Sequence, residues 1–97
     1  MSNACVLMPQ GKFSLGEIVI TTAADEKLAP LDVSRAVFRH SQGDWGEVGE
    51  DDRAANERAL QCGSRLMSVY HDRKGTAFWI ITEADRSTTT VLLPDDY

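Results

Sequence analysis

The chain has 97 residues, 42% of them hydrophobic, and carries 15 Asp and Glu against 10 Lys and Arg for a formal net charge of −5. A chain of this length forms one domain and buries roughly 60–70% of its unfolded surface, enough for one modest core without staples. The negative balance argues against non-specific nucleic-acid binding and against anionic membrane surfaces, and no apolar run approaches the roughly 20 residues a bilayer requires.

The acidity is moderate, and basic residues are interspersed with the acidic ones, so there is no dense carboxylate stripe of the kind a DNA mimic needs. Its ordinary effect is to keep a small protein soluble. The N-terminus, MSNACVLMPQGK, has neither a basic n-region nor a long apolar h-region, so no secretory leader is expected. Cys5 and Cys62 are too few for a disulfide framework. Two free cysteines in a reducing cytoplasm are expected.

Residues 1–12 read as a flexible arm, with Pro9 and Gly11 near its end, and residues 13–97 as the single domain. Phe13 to Thr21 reads as a strand, β-branched towards its end. Thr22 to Leu28 suits one short helical turn, with Thr22 as its cap and Asp25 and Glu26 early in it. Pro30 stops that turn and opens the next helix at its first position, where a missing N–H costs nothing. Leu31, Val33, Val37 and Phe38 then recur at roughly helical spacing as far as Gly43. After the loop Gly43–Gly46, Glu50, Asp51 and Asp52 make an acidic first turn that complements the dipole of a helix running to about Gln61. Gly63 is placed to end it. Its apolar face is thin, made of Ala55, Ala59, Leu60 and Cys62, with Cys62 expected to pack inside.

The stretch from Arg65 to Leu93 holds the clearest local pattern. Leu66 and Tyr70 alternate against Met67 and Val69, and a polar turn His71–Gly75 follows. Ala77–Ile81 is nearly continuous in apolar residues, the mark of a central strand covered on both faces. Glu83–Ser87 is a second turn, and Thr88–Leu93 a third strand ended by Pro94. Short links make these three an antiparallel meander. The class expected is therefore α+β: a strand, two to three helices, then a three-stranded meander in an antiparallel sheet, with the helices packed on one face. Either edge of the meander could take the first strand.

Two polar constellations stand out. The first is His40 with Asp44, Trp45 and Glu47. Imidazole and carboxylates near a loop could hold a divalent ion or move a proton. The same residues also suit a structural role, with His40 serving backbone carbonyls at a helix end, Asp44 capping locally and the glycines aiming Trp45 into the core. The second is Glu83, Asp85, Arg86, Ser87, Thr88 and Thr89 at a hairpin tip. Arg86 there could anchor a carboxylate or phosphate. An ordinary turn would instead fold Asp85 onto backbone N–H groups and pair Arg86 with Glu83. A helix of about twelve residues, roughly 18 Å long, separates the two, which weighs against one active site using both. Neither holds a complete nucleophile, base and orienter, so no catalytic residue, metal or cofactor is assigned. His71, on a turn, is expected to be solvated.

The series His40–Gly46 (HSQGDWG), Asn56-Glu57 with Ala59-Leu60, Gly63–Leu66, Trp79–Ser87 and Thr90–Pro94 resembles a family of small bacterial proteins of unknown function carried on plasmids and integrative elements. Its members often bear the label "plasmid-related protein" or that of a type I restriction modification subunit. The resemblance runs from about Phe13 to Tyr97. The chain is far too short for a methyltransferase subunit and has neither a glycine-rich S-adenosylmethionine loop nor an Asn-Pro-Pro-Tyr-like tetrapeptide. The mobile-element setting that the resemblance implies points to anti-defence work, such as inhibiting a restriction or CRISPR complex by binding it.

The first expectation for function is thus a mobile-element accessory acting on a protein partner, without direct contact to nucleic acid or membrane. Two alternatives stay open: a small metal-dependent hydrolase or nuclease using His40, Asp44 and Glu47, and a regulator acting as a homodimer through an exposed edge of the sheet.

Overall fold

The computed structural model describes residues 11–97. Most of the arm expected over residues 1–12, and Cys5 with it, lies outside the described residues. In chain order the elements are β1 (Glu17–Ile20), α1 (Thr22–Lys27), α2 (Pro30–Ser41), α3 (Glu50–Cys62), β2 (Leu66–His71), β3 (Ala77–Thr82), β4 (Thr88–Leu92) and a closing 3-10 turn (Pro94–Asp96). The class is α+β, and none of the described helices is long and apolar enough to cross a membrane.

Local chemistry accounts for the boundaries. Thr21, one residue earlier than expected, is the N-cap of α1, and its hydroxyl accepts from the N–H of Ala24. Pro30 is the first residue of α2. Gly63 ends α3 in the left-handed conformation at φ 76°, its N–H donating to the Ala59 carbonyl. The first strand is only four residues long, because Gly16 at φ 63° breaks the extended run. A Cβ at Gly16 would collide with the main chain of Arg86 and Ser87. Phe13, expected in that strand, instead stacks on Trp45 and meets the His40 ring edge-on.

Strands β2, β3 and β4 pair in sequence, antiparallel, with Val69 opposite Trp79 and Ile80 opposite Val91. The sheet as a whole is mixed, however, not antiparallel: its order is β1-β4-β3-β2, and β1 runs parallel to β4 with Ile18 beside Thr89. The reason is topological. After β1 the chain passes through all three helices before β2 begins at the far edge, and the meander then returns so that β4 lies beside β1. A parallel neighbour needs such a crossover.

One face of the sheet carries the main core. Tyr70, Phe78, Ile80 and Val91 pack there against Ala24 of α1, Leu28 just after it and Ala36 of α2. A second cluster, Trp45, Ala59 and Leu66, lies beneath α3, joined by Phe13, Val48 and Leu60. The buried polar residue of α3 is Asn56, and Cys62 is exposed, so the expected packing role of Cys62 is corrected. The buried residues of α3 are Asn56 and Ala59, and Cys62 is its exposed last residue. On the opposite face, the closing turn brings Tyr97 to 5.5 Å from Trp79, with Arg65 over the Tyr97 ring.

Candidate functional site

His40, Ser68, Thr82 and Thr89 form a polar seam between the two apolar clusters, each fully buried. The side chains of Ser68, Thr82 and Thr89 share the sheet face that α2 covers. Nδ1 of His40 lies 2.6 Å from the Ser68 hydroxyl, and Nε2 lies 2.9 Å from that of Thr82. Thr82 and Thr89 are 2.7 Å apart, and Thr89 donates to the Leu15 carbonyl. Burial pushes the His40 pKa down from 6.5 to about 4, with the Arg86 charge acting in the same direction. An imidazole beside a hydroxyl is the start of a nucleophile–base pair. Here both His40 and Ser68 have no exposed surface, so the pair faces the interior.

The rest of the first constellation disperses. Trp45 is buried, its indole N–H donating to Glu57, and the glycines at 43 and 46, at φ 80° and 73°, turn it inward. Asp44 is exposed, forked by Arg39 at 2.7 Å, and accepts from the N–H of Gly46. The Arg39 hydrogen bond, first among the causes, holds the Asp44 carboxyl below its usual range. Glu47 is exposed and meets His71 at 3.0 Å. Among the described residues no three His, Cys, Asp or Glu converge to hold a metal.

The hairpin tip is also committed to structure. The Arg86 guanidinium donates to the carbonyls of Ser64 at 2.6 Å and Ala59 at 2.9 Å, and to those of Glu83 and Ala84 within its own turn. Arg86 therefore ties the C-terminal end of α3 to the β3–β4 turn. It takes φ 62° to do so. The expected Arg86–Glu83 ion pair is not formed: Arg65 lies 3.5 Å from the Glu83 carboxylate, and Arg86 takes only its carbonyl. Asp85 accepts from the N–H and hydroxyl of Ser87, which keeps its carboxyl below the usual range. Thr88 opens β4, and Thr89 belongs to the buried seam. Phe13 stands between the two constellations, touching His40 and Trp45 on one side and lying 5.7 Å from the Arg86 guanidinium on the other. They are closer than helix length suggested, and Phe13 is the side chain that touches both.

The two edges of the sheet are unlike. At β2 the outward groups are satisfied: Asn56 exchanges two hydrogen bonds with the Met67 main chain, and the Trp45–Glu47 loop does the same with Val69. At β1 every residue is exposed, Ile18 at 50%, Val19 at 37% and Ile20 at 38%. A groove of about 250 Å³ runs from that edge to α1 and α2. Sequence reading missed this region as a site. Its signal was the unbroken Ile18-Val19-Ile20 run in a strand that proves to lie on the surface.

Comparisons with family models, with curated proteins and with solved structures find no match to this chain.

Proposed function

We propose that this chain is a small accessory protein of mobile genetic elements that works by binding another protein, with a host restriction or CRISPR complex as the partner class. The mobile-element setting and the partner class rest on the resemblance to plasmid-borne proteins. The observation that carries the binding role is the contrast between interior and surface. The imidazole and hydroxyls suited to chemistry are sealed in the seam, whereas Ile18, Val19 and Ile20, consecutive along β1, are left in solvent, with Leu31, Phe38 and Tyr97 exposed elsewhere.

The test is affinity capture from host cells with the full chain, followed by reciprocal capture and gel filtration of the purified pair. A defined complex that elutes together, and that loses nuclease activity as the chain is added, is the expected result. Failure of any pair to survive reciprocal capture would remove the reading.

A further inference from the structure

We propose that β1 is an open docking edge that takes an extended, apolar, basic-flanked segment of a partner protein as an additional strand. The inference rests on the protein-binding reading and names its surface.

Hydrogen-bond parity sets the geometry. Glu17 donates to the Ser87 carbonyl and Thr21 to that of Val91, so the odd-numbered residues of β1 turn their main-chain groups towards β4. Ile18 and Ile20 therefore turn their N–H and C=O groups outward, and no described residue pairs with them. An edge of this kind is a template for another strand, and proteins usually blunt it with lysine, proline, a bulge or a covering loop. The fold does so at β2, through Asn56 and the Trp45–Glu47 loop. At β1 no described residue covers the edge, and the strand's only blunting features are its four-residue length and Glu17.

Side chains supply the second layer. The groove beside the edge is lined by Ile18, Ile20, Leu28, Val33 and Val91, and Asp25 is its single charged residue. An incoming strand points alternate side chains to one face, so every second residue of the partner enters this apolar channel.

Charge selects the occupant. Among the described residues, three charged groups are placed at the edge, and all are acidic: Glu17 in the strand, Asp25 in the groove, and Asp96, whose carboxylate accepts from Thr21 at 2.6 Å. A second copy fits poorly. Two-fold pairing centred on Val19 sets Glu17 against the Thr21–Asp96 pair of the other copy, and each chain already carries −5. A partner with Lys or Arg flanking an apolar run meets the acidic rim with complementary charge.

The experiment uses the full chain and residue-resolved amide exchange by NMR. In the free protein at low concentration, Ile18 and Ile20 should exchange fast and Val19 slowly. Protection of Ile18 and Ile20 without a ligand, whether by a second copy or by the chain's own first residues, overturns the proposal, as does a concentration-dependent dimer in gel filtration. The probes are short capped peptides of alternating valine and threonine, flanked by arginine or by glutamate. The arginine-flanked peptide should protect Ile18 and Ile20 and bind about tenfold more tightly at low salt, a gap that narrows as salt rises. Equal binding of the two peptides, no binding, or binding without protection at Ile18 and Ile20 rejects it. Ile18→Pro deletes one outward N–H without touching the β4 ladder, and Ile20→Lys, on an exposed side chain, serves where the proline variant fails to fold. Both should abolish peptide binding. A captured host partner that both variants still bind at full strength sinks the docking edge and leaves the binding role standing. Peptide binding without any host partner does the reverse.

Discussion

Ser68 donates its hydroxyl proton to Nδ1 of His40 across 2.6 Å, and the direction of that bond is fixed by groups further along the seam. The Leu15 carbonyl only accepts, so Thr89 donates to it. With its proton committed, Thr89 must accept from Thr82. Thr82 in turn must accept from Nε2–H of His40, which leaves Nδ1 as the acceptor for Ser68. His40 is thus the neutral Nε2–H tautomer, and every side-chain proton of the seam has one place to go.

That arrangement predicts an acid-sensitive fold. The His40 pKa is about 4 in the folded chain against 6.5 unfolded. Between those values the unfolded state takes up a proton that the folded state refuses. Stability is therefore full above pH 6.5 and falls as pH drops towards 4, by an amount on the order of 3 kcal/mol for this group. Urea midpoints measured across that range should show the decline, and His40→Gln should flatten it even though its overall stability is lower. A flat midpoint in the native chain would contradict the buried neutral histidine.

Cutting the seam at its middle gives a second expectation. Thr82→Val keeps volume and shape but leaves Nε2–H of His40 buried without an acceptor. The loss should be about 1–3 kcal/mol, the usual cost of an orphaned buried donor. Chemical denaturation measures it, and a change near zero would mean that the ring finds another partner.

Arg86 is a structural tie rather than a free anchor, and its substitutions should register as stability. Arg86→Lys cannot reach Ala59 and Ser64 with one planar fork, so it should lose about 1–2 kcal/mol. Thermal unfolding of the variant checks this. An unchanged midpoint would free Arg86 for a ligand instead.

Two glycines of nearly equal φ should respond very differently. Gly46 sits at φ 73° with Val69 main chain and the Tyr70 ring where a Cβ would go, whereas Gly63 at φ 76° has nothing within 4 Å. Gly63→Ala should cost about 1 kcal/mol, the backbone penalty alone. Gly46→Ala should cost several times as much or prevent folding, because the loop must also leave the β2 edge. Equilibrium unfolding of the pair gives the comparison directly.

Sequence carried much of the local structure. Pro30, Gly63, the acidic turn at Glu50–Asp52 and the apolar run Ala77–Ile81 placed three helix boundaries and the central strand, because capping chemistry and periodicity act over a few residues. The Asx turn at Asp85 was also legible for the same reason. The short β1 was not: the extended pattern from Phe13 onward gives no hint that Gly16 must bend around the Arg86–Ser87 main chain.

What only tertiary structure decided is who meets whom across the chain. His40 finds Ser68 and Thr82 at separations of 28 and 42 residues, and Arg86 finds Ala59 at 27. No local pattern encodes such pairings, since they depend on which strand the returning meander brings next to which helix. The same return puts β1 parallel to β4 at the rim, and so turns Ile18, Val19 and Ile20 outward. Composition and periodicity settle which segments want burial, whereas the topology of the sheet settles which of them must go without it.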